Sequence, residues 1–344
     1  MTPSELPFVT IGMPCLNEEG FIEACVRGAL VQDYPADRLE VIVADGGSGD
    51  GTLAILERLA REDARLRVLP NPGRYQSAGM NEILKQMRGE VLVRMDVHAD
   101  YAEDYVRRCV EVLERTGADN AGGAARAKAT SFFQRAVCAA LASPLGVGGS
   151  SYRNADNEGW VETVFNGAFR RGIFEKVGLY DPKAVTNEDA ELNQRIHAAG
   201  GRVYLSRDIQ TWYYPRSSPV ALARQYFKYG HGRARTLLKH GKFLSLRPAI
   251  PFLMVVGGAT LLATSAVQPW TPWAFAAYGA LTLTEAVRVG REAGPAAIPV
   301  VWAIFPLIHV AHGLGFATGL LHYLRKPDWR REGDEKLTGR PPGS

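Results

Sequence analysis

Charged residues are dense from Met1 to Arg247 and almost vanish between Pro248 and Leu324, where Glu285, Arg288, Arg291 and Glu292 interrupt an otherwise apolar run. A chain divided in this way needs two solvents: water around the first part, and something apolar around the second. The run splits into three pieces. Pro248–Val267 is uncharged and about 20 residues long, enough to cross ~30 Å of hydrocarbon as a helix. Trp270–Val287 is similar but carries Glu285, and Ala296–Leu324 is longer, broken by Pro299, Pro306 and several glycines, and holds His309, His312 and His322. The alternative for these pieces is a buried helical subdomain.

The Gln268–Pro269 turn is uncharged and Arg288 and Arg291 follow the second piece, so the first two pieces read as a hairpin with both ends cytosolic. If the third piece crossed once, Arg325, Lys326, Arg330 and Arg331 would lie outside, against the tendency of positive charge to stay inside. Re-entry is the other choice, since the piece is too short for two full crossings. The expected location is the inner (cytoplasmic) membrane, multi-pass, with the N-terminal domain in the cytosol.

Whole-chain averages conceal this division. Apolar residues at 46% and charged residues at 22% describe an ordinary soluble enzyme, and a net charge of +4 is too small to argue for nucleic acid. The basic residues bunch instead at Arg224–Arg247 and Arg325–Arg331, on both sides of the apolar run, as a cytoplasmic membrane face favours. Cys15, Cys25, Cys109 and Cys138 show no CxxC spacing, so they read as free thiols in a reducing compartment. Met1–Pro7 carries Glu5, no Lys or Arg and no apolar stretch, unlike a signal peptide.

Within the first part, Phe8–Met13, Leu39–Ala44, Leu66–Leu69, Val91–Met95 and Ala121–Arg126 read as strands. Between them Phe21–Val31, Thr52–Glu62, Ser77–Met87 and Tyr101–Arg115 carry apolar residues at helical spacing. Such alternation predicts an α/β fold with a mostly parallel sheet covered by helices, its ligands at the carboxyl ends of the strands. A less regular section runs from about Thr130 to Arg216 and includes the Gly- and Ser-rich run Gly146–Ser151, read as a mobile loop. The expected divisions are a cytosolic domain over 1–216, basic amphipathic helices over 217–247, a transmembrane or re-entrant region over 248–324 and a polar tail over 325–344. There is no internal repeat.

The segments just after each strand carry the chemistry. Pro14-Cys15-Leu16-Asn17-Glu18-Glu19 follows the first; alone, it is a turn opening a helix. Val43-Ala44-Asp45-Gly46-Gly47-Ser48-Gly49-Asp50-Gly51-Thr52 ends a strand on a carboxylate and adds glycines that admit a ligand close to the backbone. Arg74-Tyr75-Gln76-Ser77-Ala78-Gly79-Met80-Asn81 follows the third strand. Arg94-Met95-Asp96-Val97-His98-Ala99-Asp100 follows the fourth; in an extended segment positions i and i+2 point the same way, so Asp96 and His98 can meet one divalent ion. An oxygen with an imidazole suits Mn²⁺ at least as well as Mg²⁺. In Thr186-Asn187-Glu188-Asp189-Ala190-Glu191-Leu192, Asn187 is a good helix cap and the acids suit a first helical turn on structural grounds alone.

In order and spacing these clusters resemble those of family 2 glycosyltransferases, an inverting family with a GT-A nucleotide-diphospho-sugar transferase fold, over roughly Pro7 to Tyr229. The Asp-x-His form is similar to that of succinoglycan-type exopolysaccharide transferases. The resemblance implies that Pro14, Asn17, Glu18, Asp45, Gly46, Gly79, Asn81 and Asp96 bind the donor nucleotide, with Asp45 on uracil. It makes Asp96 and His98 the metal ligands on the leaving diphosphate, and Asp189, beside Glu188, the catalytic base. Phe165-Asn166-Gly167-Ala168-Phe169-Arg170-Arg171 resembles the acceptor-lining segment, giving Asn166 and Gly167 to the acceptor. Gln225, Lys228 and Tyr229 stand where polysaccharide synthases have Gln-x-x-Arg-Trp, with Lys for Arg and Tyr for Trp. A basic helix lying on the membrane accounts for that segment equally well.

The implied reaction is a single in-line displacement from a nucleotide sugar, UDP-glucose by analogy with that branch, to a polyprenyl-diphosphate-linked acceptor at the bilayer. Three alternatives stand beside it: a transferase loading sugar onto polyprenyl phosphate, a sugar nucleotidyltransferase, and a non-catalytic membrane scaffold with a degenerate site. An early Gly-rich loop followed by Arg and Lys, which the nucleotidyltransferase requires, is missing.

Overall fold

Two central strands explain how the sheet is built. β1 (Val9–Cys15) and β2 (Leu39–Asp45) are buried at every residue, the pattern of parallel strands covered on both faces. A computed structural model describes residues 6–147, 153, 156–242 and 246–329, which divide into two compact units. The first contains the described residues up to Arg126 and from 156 to 213; the second begins at Ala127, breaks off, and resumes at Tyr214. The described part of the first unit ends at Tyr213, and the segment beginning at Ala127 groups with the C-terminal helices instead of the first unit.

In the first unit β3 (Leu66–Pro70), β4 (Val91–Arg94), β6 (Asn120–Gly123), β8 (Gly159–Trp160), β9 (Phe165–Arg170) and β10 (Val203–Leu205) complete an eight-stranded sheet of order β3-β2-β1-β4-β9-β6-β10-β8. A small sheet joins β5 (Ala99–Tyr101), β11 (Thr211–Tyr213) and β7 (Ala125–Ala127). The stretch Ala121–Arg126, expected as one strand, thus divides between two sheets. The large sheet is mixed: β1 to β4 run parallel, but β9 enters antiparallel between β4 and β6, and β8 lies antiparallel on β10. Registers Cys15↔Asp45, Asp45↔Pro70 and Gly12↔Arg94 bring the carboxyl ends of β1 to β4 to one edge.

Helices α1 (Ile22–Leu30), α2 (Thr52–Glu62) and α4 (Tyr105–Thr116) pack Ile22, Val26, Leu56, Val106 and Leu113 onto Ile11, Met13, Val41 and Val93. Helix α3 (Gln76–Gln86) sits close to β1, where a Cβ on Gly12 would lie 3.2 Å from Ile83. Helices α7 (Arg171–Val177) and α8 (Glu188–Ala198) follow β9.

The second unit is helical. It contains α5 (Phe132–Ala142), α6 (Pro144–Val147), α9 (Pro219–His240), α10 (Ile250–Ala263), α11 (Thr271–Gly290) and α12 (Ile298–Arg325). α5 opens on a capping box between Ser131 and Gln134. The expected basic amphipathic helices are one helix, α9, closed by Gly241 in the left-handed region at φ 67°. α9 and α12 meet backbone to backbone. A Cβ on Gly315 would fall on the Phe227 carbonyl oxygen, one on Gly230 on the His312 carbonyl oxygen, and one on Gly319 within 2.7 Å of the His231 carbonyl oxygen. Gly315 and Gly319 are spaced as in the small-residue seams by which apolar helices associate.

Two expectations for the apolar run change. The first piece is α-helical only over Ile250–Ala263, 14 residues, entered by a 3-10 turn at Arg247–Ala249. That is about 21 Å of helix, short of the hydrocarbon thickness. The third piece neither breaks nor re-enters; α12 is continuous for 28 residues through Pro306. Pro295–Arg325, its one-turn entry included, is the one helix among the described residues long and apolar enough to cross a membrane. Leu253, Leu262, Trp273, Leu281, Leu314 and Leu321 leave much of their surface uncovered. The run Gly146–Ser151 from residue 148 onward, and the tail from residue 330, lie outside the described residues.

Candidate active site

At the carboxyl edge of β1 and β2 two loops are laced together. Asn17 donates its backbone N–H to Ser48 Oγ (2.8 Å), and Asn17 Oδ1 accepts from Gly49 N–H (2.8 Å). Glu18 N–H reaches Thr52 Oγ1 (2.7 Å), and Glu19 Oε2 accepts from Gly51 N–H (3.2 Å). Asp45 is buried at the end of β2: Oδ2 takes the N–H groups of Gly47 (3.0 Å) and Ser48 (3.1 Å), and Oδ1 takes the Ser48 hydroxyl (2.5 Å). The carboxylate thus shapes its own glycine-rich turn. Gly46 donates to the Cys15 carbonyl (2.9 Å) and lies against the Arg74 carbonyl, so the third loop closes on the second. Burial, followed by the charge of Asp45, pushes the Cys15 thiol far up, which leaves it a neutral packing group.

Asp96 is tethered through both its side chain and its backbone. Its Oδ1 accepts from Arg94 Nε (3.1 Å) and from Gln76 Nε2 (2.8 Å). Its backbone N–H donates to the Tyr101 hydroxyl (2.5 Å), which also takes Asn166 Nδ2 (2.8 Å). Arg94, 5% exposed, extends past Asp96 and donates Nη2 to Glu188 Oε1 (3.0 Å) in the first turn of α8. One guanidinium therefore ties the end of β4 to the helix that carries Asp189. Burial pushes the Glu188 carboxyl up to about 6 against the opposing charge of Arg94, with Asp189 adding to the rise. Asp189 is only partly buried, and its Oδ1 accepts from Ala190 N–H (2.7 Å). Of the two neighbours, Glu188 is occupied by Arg94 and Asp189 is the accessible carboxylate.

Several expectations are corrected by this geometry. Val97 and His98 lie in a turn, with Ala99 N–H bonded to the Asp96 carbonyl (3.2 Å), so the extended geometry that would aim Asp96 and His98 alike does not hold. His98 Nε2 instead pairs with Glu18 Oε2 (3.0 Å), and its ring stands edge-on to Phe21 at 4.9 Å. Burial raises the Glu18 carboxyl, with His98 opposing. Asn81 is not open to a nucleotide: it is 5% exposed, and both ends of its amide hold the Tyr180 backbone, Nδ2 to the carbonyl (2.8 Å) and Oδ1 to the N–H (2.9 Å). Gly79 is a close-packing glycine, since a Cβ there would lie 2.9 Å from both Pro14 and Asn71. Asn166, at φ 45°, holds Tyr101, and Gly167 leaves room for Asn120. Asn187 opens α8 in the left-handed region at φ 59° with no capping bond from its side chain.

Gln225, Lys228 and Tyr229 all lie on α9 of the second unit, where Gln225 Nε2 donates to the Tyr229 hydroxyl (2.9 Å). Residues that sequence reasoning passed over are Gln76, Arg94, Tyr101 and Tyr180. Arg94 had a signal, a cation two positions before the carboxylate on a strand that is otherwise apolar.

A divalent ion would find few protein ligands at this edge. Among the described residues no group of three His, Cys, Asp or Glu side chains is arranged to hold one. Asp96 would still fit as a single carboxylate ligand, because Oδ1 takes both hydrogen bonds and Oδ2 is left, and one or two carboxylates with substrate phosphates and water are the usual set for Mg²⁺.

Residues 10–178 match the family described as glycosyl transferase family 2. The succinoglycan biosynthesis protein ExoA of Rhizobium meliloti (strain 1021) is 37% identical over 322 residues, 92% of this chain and 96% of that protein. The chain belongs to glycosyl transferase family 2.

The transferase is also 27% identical over 240 residues to a dolichyl N-acetyl-α-D-glucosaminyl phosphate 3-β-D-2,3-diacetamido-2,3-dideoxy-β-D-glucuronosyltransferase of Methanococcus voltae, over 67% of this chain and 74% of that one. Among solved structures, the mannosyltransferase PcManGT of Pyrobaculum calidifontis in complex with GDP-Man and Mn²⁺ superimposes with a TM-score of 0.66 at 20% identity, over 93% of this chain and 88% of that chain. S. aureus TarS 1–349 with UDP-GlcNAc gives 0.52 at 16% identity, over 96% and 99%. At these identities the structural likeness shows the fold, which is GT-A-like.

Proposed function

We propose that this family 2 transferase moves a sugar from a nucleotide-sugar donor, with UDP-glucose the first to test, to a saccharide carried on a polyprenyl diphosphate, in the assembly of an exopolysaccharide or related surface glycan. The observation that carries the reading is the Arg94 bridge, which ties the Asp96 carboxylate at the end of β4 to the turn of α8 bearing Asp189. The laced loops around Asn17, Asp45 and Gly46 form the base-and-ribose end of the same edge.

The chemistry follows from those positions. Asp189 takes the proton from the acceptor hydroxyl, whose oxygen attacks the anomeric carbon as the bond to the diphosphate breaks on the opposite face, so the configuration inverts. A divalent ion, Mn²⁺ or Mg²⁺, held by Asp96 when bound, supplies positive charge to the departing diphosphate. His98 joins such a site only by leaving Glu18. The names of two relatives support the acceptor class, one in succinoglycan biosynthesis and one acting on a dolichyl-linked sugar. α12 supports residence in the bilayer where such acceptors lie; on this reading α10 and α11 share the apolar layer and the first unit faces the cytosol. Cations near the ends of α9 and α12 suit a pyrophosphate and anionic headgroups.

The test is purified protein in detergent, assayed for nucleoside diphosphate release against a panel of UDP- and GDP-sugars with Mn²⁺ and with Mg²⁺. Release with polyprenyl-diphosphate saccharides but not with polyprenyl phosphate is the expected result. Transfer to polyprenyl phosphate alone would make the protein a synthase of lipid-linked donors.

A further inference from the structure

The Arg94 guanidinium holds more than its place in a strand requires. It is buried with three polar nitrogens: Nε on Asp96 Oδ1 at 3.1 Å, Nη2 on Glu188 Oε1 at 3.0 Å, and Nη1 without a hydrogen-bond partner. Beside it the Tyr180 hydroxyl is also buried, and burial pushes that phenol far up against the opposing charge of Arg94. Tyr180 is fixed in turn by Asn81 through both of its backbone groups. A buried cation between two carboxylates is costly to assemble, and removing one partner leaves another uncompensated. A core position that only needed filling would be better served by an apolar side chain, as at Leu92 and Val93 before it.

We propose that Arg94 is a positioning residue that couples the two halves of the reaction: by gripping Asp96 and Glu188 together it registers the base-bearing turn of α8 on the diphosphate-binding turn after β4. The grip depends on the planar fork, because two donors at a fixed angle meet two carboxylates that a single ammonium cannot span. Gln76 holds Asp96 Oδ1 and Tyr101, itself held by Asn166, holds the Asp96 backbone N–H, so Asp96 stays in place when Arg94 changes, while the Glu188 carboxylate is held by its ion pair with Arg94. Loss of the fork therefore releases the base side more than the donor side. A misplacement of about 1 Å between reacting groups lowers a rate on the order of 100-fold.

This inference rests on the reading of Asp96 as the donor side and Asp189 as the base. Arg94→Lys, which keeps the charge and loses the fork, and Glu188→Gln, which keeps shape and loses charge, are compared with wild type in detergent. Binding of UDP with Mn²⁺ and of GDP with Mn²⁺ is measured by calorimetry. Transfer from radiolabelled UDP-glucose to butanol-extracted lipid-linked saccharides is measured beside its transfer to water, in which the bond from the anomeric carbon to the diphosphate breaks and water oxygen takes its place. The expected result is nucleotide binding within about threefold of wild type, transfer to lipid lowered on the order of 100-fold, and a larger share of sugar lost to water. Binding and transfer falling in proportion, or transfer unchanged in both variants, would overturn the coupling. Should Arg94→Lys fail to fold, Glu188→Gln decides alone by the same split. Wild-type protein that neither binds nucleotide nor transfers sugar would count against the reading of the site and not against the bridge.

Discussion

The loop cluster of the first unit and the helix seam of the second are both tightly joined, by opposite means. At the sheet edge, polar atoms hold each other: Asn17 to Ser48 and Gly49, Asp45 to its own turn, Arg94 to two carboxylates. Between α9 and α12, side chains are removed instead, and glycines let carbonyl oxygens of one helix touch the backbone of the other. In water, directed hydrogen bonds set geometry because each unmade bond has a cost. Between the two helices, close backbone approach supplies the contact, as in small-residue helix seams. The first kind of joint tolerates no loss of a partner; the second tolerates no added atom.

The sharpest break in that contrast is at the accessible carboxylate. Asp189→Ala lowers kcat by roughly 10²–10⁴-fold with folding unchanged, the range for a lost general base. Activity within about threefold of wild type would remove Asp189 from the mechanism. The seam is tested by adding one methyl group. Gly315→Ala places a Cβ on the Phe227 carbonyl and destabilises by about 1–3 kcal/mol, seen as a lower Tm in detergent. Gly257→Ala in α10 meets nothing within 4 Å and leaves Tm unchanged or higher. Equal effects at the two glycines would mean that the seam has no special role.

The third test concerns pH. Burial raises Glu188 from 4.5 to about 6, so the folded protein holds this proton more tightly than the unfolded chain. The associated stability is full below pH 4.5 and is lost as pH rises through 6. The loss is on the order of 2 kcal/mol. Glu188→Gln removes that slope, and Tm measured across this window for both proteins checks it. The smallest effect lies outside both joints. Arg58 bonds Glu23 and Glu62 on the exposed faces of α1 and α2, and Arg58→Ala leaves activity and Tm unchanged within error, because exposed ion pairs are screened.

The parallel half of the sheet was legible because each strand and helix there is a neighbour in sequence. Phe8–Met13, Leu39–Ala44 and Leu66–Leu69 reappear as β1, β2 and β3, shifted by a residue or two. β9 escaped notice as a strand since its partners, β4 and β6, are remote in sequence and its residues carry no alternation. In the site, residue types pointed to the right edge but not to individual duties. Asn81 and Asn166 are polar side chains that look available until their long-range partners, Tyr180 and Tyr101, are known. Asp96 and His98 were paired by assuming an extended chain, and a turn separated them. The continuity of α12 through Pro306 was hidden for a related reason: neighbouring helices tolerate a proline that composition alone marks as a break.

Among the described residues, those other than glycine with left-handed backbones are Asn17, Arg74, Asn166 and Asn187, and all four border the site. Such a backbone is comfortable for Gly, tolerable for Asn or Asp and strained for a β-branched side chain. The loops of this cleft are therefore written in a restricted alphabet. Relatives that change sugar while keeping this chain path have freedom at the neighbouring positions, whereas an Ile or Val at 17, 166 or 187 would force the path itself to change.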